Sequence, residues 1–269
     1  MFWKRFLSAV VLIPVLILII YWGSPFFPIL VFAVVVVMLA EFGQLARSIG
    51  SRSCKVTLFL SALPFCLSAQ FGFPVELAIA FALIVAFSAE IFRRHVDDVF
   101  LSVSSTFTGS IYVGWAFGYH LLLLHQIGDP IGSSLVFFLL ATVWCGDSGA
   151  YLIGSNFGKR KLCPAVSPNK TIEGAVSGLI AGIAGGFVVW YLLLQETVDI
   201  IHVPILGVSL GIISQISDLS ESIIKRNAHV KDSSTAVPGH GGLLDRCDGL
   251  VFSTPALLYY FEQFVGNST

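Results

Sequence analysis

Charge is what this sequence has least of: of 269 residues, 12% are Asp, Glu, Lys or Arg, while 56% are hydrophobic. Soluble domains carry roughly a quarter charged residues, so the composition excludes an ordinary water-soluble globule and indicates an integral membrane protein. With 15 Lys and Arg against 16 Asp and Glu, the net charge is −1. There is no basic excess, and therefore no sign of a nucleic-acid partner. The five cysteines, Cys54, Cys66, Cys145, Cys163 and Cys247, are odd in number, scattered and without C-x-x-C spacing. That pattern gives no zinc or dithiol redox site, and they read as free thiols. A cleavable leader is also missing. The first apolar run follows Lys4 and Arg5 but is longer than the ~7 to 15 residues of a signal-peptide core, and no small-x-small cleavage site follows, so a retained anchor is expected.

What the sequence does have is long apolar runs. A spanning helix needs ~20 mostly apolar residues, and nine runs approach that length: 6–22, 26–46, 56–73, 75–92, 103–124, 131–152, 173–195, 203–224 and 249–265. The expected fold is all-α, a polytopic integral membrane protein of about nine transmembrane helices. If the N-terminus is cytoplasmic and the loops alternate, all 15 Lys and Arg fall on the inner side. This is the bias of the positive-inside rule, and a wrong helix count would scatter it. Arg47, Arg52, Lys55, Arg93 and Arg94 then read as anchors beside anionic lipid.

Two inner loops are different. One, 154–171, reads GSNFGKRKLCPAVSPNKT, and the other, 225–244, reads KRNAHVKDSSTAVPGHGGLL. Both are flanked by carboxylates within apolar runs: Asp147 in WCGDSGAY, Asp218 and Glu221 in SQISDLSES, Asp245 and Asp248 in LLDRCDGL. Such residues are expensive to bury and usually serve an ion, a proton or a polar substrate. Glu41, Glu76 and Glu90, at helix ends, read as structural. Asp245 and Asp248 are three apart and share a helical face. Their repulsion is relieved by a hard cation, and oxygen ligands alone suit Mg2+ rather than zinc. Asp218 supplies a third carboxylate if the eighth helix packs on the ninth. Arg246 is the alternative, simply neutralising one aspartate.

PGHGG cannot be regular helix. Its backbone N–H groups, including those of His240, Gly241 and Gly242, open a helix at its positive end and are suited to cradling phosphate. Lys225, Arg226 and Lys231 lie on one side of it and the carboxylates on the other. Basic groups for phosphate and carboxylates for Mg2+ are the inventory of phosphoryl or nucleotidyl transfer. In SPNKTIEG, Thr171 is a fair N-cap with Glu173 in the first turn, which leaves Lys170 to reach an anion.

Ser222, Lys225, Arg226, Lys231 and Asp232, followed by PGHGG and DRCD up to Asp248, resemble the signature of the phosphatidate cytidylyltransferases, or CDP-diglyceride synthetases. WCGDSGAYLIGSNFGKRKL and SPNKTIEG look like segments of the same family, so the motif resemblance covers Trp144 to Asp248. Three positions depart from the pattern: Ser217 and His229 stand where glycine is usual, and Cys247 replaces a branched apolar residue. None removes a charge.

The resemblance implies transfer of CMP from CTP to phosphatidic acid with Mg2+, in phospholipid biosynthesis at a bacterial inner membrane. Its partners are CTP, phosphatidic acid and membrane lipid, and self-association as a homodimer stays open. Residues 1–98 become a membrane scaffold and 99–269 the catalytic region. Asp218, Asp245 and Asp248 are the expected metal ligands, with Asp147 a further ligand or a group behind them. Lys170, Lys225, Arg226 and Lys231 are expected to bind phosphates, and the His240–Gly242 backbone to line the triphosphate. Ser222 bonds either a phosphate or a preceding carbonyl, and His240 either protonates leaving pyrophosphate or holds the loop. Two rivals remain. A CDP-alcohol phosphotransferase shares D-x-x-D-G at 245–249 but needs further aspartates where LVFSTPALLYY follows, and a cation-coupled transporter would also place carboxylates in helices.

Overall fold

The computed structural model describes residues 13–94, 96–128, 130–234 and 241–266. Lys4, Arg5, the start of the first run, Pro238 and His240 lie outside the described residues. Helices account for nearly all of the structure: α1 (Ile13–Trp22), α2 (Phe26–Ser48), α3 (Lys55–Phe71), α4 (Val75–Arg93), α5 (Val99–His125), α6 (Ile131–Phe157), α7 (Ile172–Leu194), α8 (His202–Asn227) and α9 (Leu244–Phe264). Between α6 and α7 a short antiparallel pair forms, β1 (Lys161–Cys163) with β2 (Ser167–Thr171).

Among the described residues the apolar runs lie on these helices, and six helices, α2, α4, α5, α6, α7 and α8, are long and apolar enough to cross a membrane. The chain is thus an all-α, multi-pass membrane protein. The described part of α1 is short, as is α3 at 17 residues. α9 has the length, 21 residues, but its first turns carry Asp245, Arg246 and Asp248. Two stretches are wound with the wider π-helical turn, Ser110–Tyr119 in α5 and Trp190–Leu194 in α7. Hydrophobic periodicity alone does not reveal such a change.

By packing the chain forms two units, one of residues 1–123 and 224–247, the other of residues 124–223 and 248–269. In the first unit, α3 packs on α4 and on the π-wound part of α5. Phe65, Ala78 and Ala82 form a buried cluster there, covered by Phe107, Ile111, Trp115 and Tyr119. Hydroxyl pairs replace absent water in this apolar interior, with Ser51–Ser105 and Ser61–Ser110 oxygens 2.5 Å apart.

In the second unit, α6 and α7 lie against each other along a row of glycines. Gly174, Gly178, Gly182 and Gly186 recur every fourth residue on the buried face of α7. A Cβ at Gly178 would stand 2.9 Å from the Gly146 carbonyl oxygen, and one at Gly182 2.8 Å from that of Thr142. Only a residue without a side chain permits this backbone approach, the small-x-x-x-small logic of membrane helices. The consequence is positional: it brings Asp147 of α6 beside the start of α7.

Candidate active site

The polar residues of the second unit gather where α6, β2 and α8 meet. Lys170, on β2, reaches Asp218 of α8 with Nζ–Oδ2 2.5 Å. Asp147 lies within electrostatic reach of both. The strand is held by the start of α7, where Thr171 is the N-cap the sequence predicts, its hydroxyl accepting from Gly174 N at 3.1 Å. Glu173 does more than complement the helix dipole. Its carboxylate accepts the Lys159 and Arg160 backbone N–H groups, each at 3.1 Å, and so fixes the entry to the hairpin. The Ser222 hydroxyl points at Asp218 Oδ1 from 3.5 Å, a long contact.

The eighth and ninth helices do pack together within this unit, as the sequence reading required. Ser217 donates its hydroxyl to the Asp248 carbonyl and accepts from Phe252 N at 3.3 Å. Those two groups are four residues apart, so the Ser217 hydroxyl joins the carbonyl and the amide of one α9 turn. Asp248 Oδ1 accepts the Gly249 N–H at 2.7 Å. The departure from glycine at 217 therefore has a structural role.

In the first unit the residues around the glycine-rich signature form a second group. Lys225, in the last turn of α8, donates to Asp245 Oδ1 at 2.6 Å, and the two side chains are 11% and 12% exposed. Asp245 Oδ2 accepts Gly242 N at 2.8 Å, Ser233 N at 2.9 Å and the Ser233 hydroxyl at 2.9 Å. Burial pushes the Asp245 carboxyl up, but the Lys225 ammonium and the Gly242 and Ser233 N–H groups outweigh it, and the carboxyl is lowered to about 2. Arg226 donates to the Val230 carbonyl at 3.1 Å and is exposed, as is Lys231.

Sequence reasoning passed over the carboxylate that organises this second group. Glu41, 2% exposed near the end of α2, accepts four hydrogen bonds: Leu243 N at 3.0 Å, Leu244 N at 2.7 Å, the Ser234 hydroxyl at 2.6 Å and the Ser233 hydroxyl at 3.2 Å. A signal was present. Glu41 has no basic residue three or four positions away, so within its own helix nothing neutralises it. Glu90 differs, being paired with Arg93 at 2.6 Å one turn on.

These bonds give the glycines a structural use. The N–H groups of Gly242, Leu243 and Leu244 are committed to Asp245 and Glu41. Gly241 has φ +78°, the left-handed region, so it is glycine for the turn. At Gly242 a Cβ would overlap the Ser233 hydroxyl and stand 2.7 Å from Glu41 Oε2. Glycine there is a matter of packing against a buried carboxylate.

Among the described residues, no three His, Cys, Asp or Glu side chains are gathered as for a metal ion. The donor chemistry of Asp218 and Asp248 fits a hard cation, being oxygen throughout. In this arrangement both oxygens of Asp245 face N–H, O–H or ammonium donors, and those of Asp218 face Lys170 and Ser222.

The cytidylyltransferase family matches residues 3–264. A phosphatidate cytidylyltransferase of Bacillus subtilis (strain 168) is 30% identical over 97% of this chain and 98% of its own length. One from Synechocystis sp. is 32% identical over 96% and 95%. Another, from Brucella suis biovar 1, is 47% identical over 133 residues, 49% of this chain and 48% of its own. With similarity running along almost its entire length, the chain belongs to the cytidylyltransferase family of enzymes.

Proposed function

We propose that this protein transfers CMP from CTP to phosphatidic acid, releasing pyrophosphate and leaving CDP-diacylglycerol in the membrane. A phosphatidate phosphate oxygen attacks the α-phosphorus of CTP in line, and the bond from that phosphorus to the oxygen bridging to the β-phosphate breaks. The nucleophile is anionic near neutral pH, so no strong base is needed, and catalysis rests on positioning and charge neutralisation. The observation that carries this reading is the pairing of motif lysines with motif carboxylates, Lys170 with Asp218 and Lys225 with Asp245, in a chain similar from end to end to proteins of that name. Each lysine is held where an arriving phosphate can compete for it, and Arg226 and Lys231 supply further positive charge.

Asp218 and Asp248 are the carboxylates that would hold Mg2+. Bound there, the ion would neutralise phosphate charge. The chain would cross the membrane nine times with its N-terminus and both basic loops in the cytoplasm, where CTP is found, in a bacterial inner membrane. The test is incubation of purified protein with phosphatidic acid, CTP and Mg2+. Lipid-linked CMP and pyrophosphate in equal amounts are expected. Release of CMP from CDP-diacylglycerol by an alcohol, with no CTP turnover, would overturn the proposal.

A further inference from the structure

We infer that Glu41 is a positioning residue for this reaction: its buried carboxylate, carried on α2, holds the residues on both sides of the glycine-rich signature and caps α9. The inference rests on the proposed CMP transfer and goes beyond it, because Glu41 lies outside the stretch that resembles the family's motifs.

The geometry is reciprocal. Glu41 takes Leu243 N and Leu244 N, while Asp245, one residue further, turns back onto Gly242 N and Ser233 N. Two carboxylates thus share the start of one helix, where its positive end favours them. The Ser233 hydroxyl stands between them, 3.2 Å from Glu41 Oε2 and 2.9 Å from Asp245 Oδ2, with a single proton to donate. The direction of the Asp245 carboxylate, and with it the Lys225 ammonium at 2.6 Å, is set by a backbone that Glu41 fastens. Glu41 itself is buried, so it acts through these groups.

A substitution by glutamine keeps the shape and removes the charge. It also turns one acceptor oxygen into an NH2 group facing N–H donors, which they cannot satisfy. In Glu41→Gln the amide hydrogen exchange of a peptide covering 241–250 should rise about tenfold or more. The kcat for CMP transfer should fall about 10- to 100-fold, with the KM for CTP little changed, as for groups displaced by a fraction of an ångström. Glu90→Gln, a buried glutamate of the same unit, should leave exchange at 241–250 and kcat unchanged. If Glu41→Gln does not fold, Ser234→Ala removes the 2.6 Å donor and should give the same pattern at several-fold size.

Exchange in 241–250 equal to the unsubstituted protein's, a rise spread evenly over α2 to α4, or an unchanged kcat would each overturn the inference. Failure of the unsubstituted protein to transfer CMP would instead refute the activity, and local exchange would then judge the clamp by itself.

Discussion

Asp245→Asn tests the signature group most directly. Asp245 and Lys225 are close to fully buried, at 12% and 11% side-chain exposure, with one short contact of 2.6 Å. Removing one member of such a pair leaves the other charge buried without compensation, at a cost of about 3–5 kcal/mol. The amide adds to the loss, because its NH2 faces either the Lys225 ammonium or the Gly242 and Ser233 N–H groups. Asp218 presents a milder case: its pair with Lys170 is 28% and 25% exposed, and hydrated pairs contribute about 1 kcal/mol or less. In detergent, the apparent unfolding midpoint of Asp245→Asn should fall about 6–20 °C, at ~2–4 °C per kcal/mol for a protein of this size. Asp218→Asn should fall by a few degrees at most. A double replacement, Lys225→Met with Asp245→Leu, should recover part of the difference, because no lysine charge is left uncompensated, while the Gly242 and Ser233 N–H groups still lose their acceptor. Both single variants should lose CMP transfer. An Asp245→Asn midpoint within ~2 °C of the unsubstituted protein, or a double variant as unstable as the single one, would refute the reasoning.

Three further outcomes follow from the same geometry. Gly242→Ala should reduce turnover more than Gly241→Ala, since the first overlaps Ser233 and crowds Glu41, whereas the second adds the ~1–2 kcal/mol strain of a left-handed backbone and a looser 3.0 Å approach to Asp245 Oδ2; kinetics and melting of the two variants check this. His229 has φ +56° just after α8, so His229→Gly should raise the unfolding midpoint by a few degrees, for a gain of up to about 1 kcal/mol, with kcat unchanged. The Asp245 carboxyl is lowered from 3.8 to about 2, so its stabilisation is complete above pH ~4 and is lost as the pH falls through ~2. The midpoint difference between the unsubstituted protein and Asp245→Asn should be constant from pH 7 to about 4.5 and shrink below that.

The helices were legible because apolar runs of this length have few other outcomes. The residues of the site were legible where a charge stood in an apolar run, as with Asp147, Asp218 and Asp245. What could not be read was who meets whom. Lys225 and Lys170 read as cations for phosphate, yet each is held by an aspartate that reads as a metal ligand. Spacing along a chain gives the face of a helix and says nothing of the partner across it. Glu41 shows the same limit. Its position near a helix end made a structural role the simpler reading, and the four donors that occupy it come from residues 233 to 244. The glycine departures at 217 and 229 look alike in sequence. One is a hydroxyl bonded to one turn of α9, the other a backbone conformation that glycine would adopt without strain.

The Glu41 clamp also imposes an order in time. Glu41 and Leu244 are 203 residues apart, and translation proceeds at ~5–20 residues per second. The carboxylate is therefore made ~10–40 s before the amides that will occupy it. During that interval it must stay hydrated or protonated, because a bare carboxylate in an apolar setting is too costly to hold. The buried partners of this end of α2 exist only once the first turn of α9 has been synthesised. A fragment carrying only Trp144 to Asp248, where every recognisable motif resides, would emerge with the α9 start uncapped.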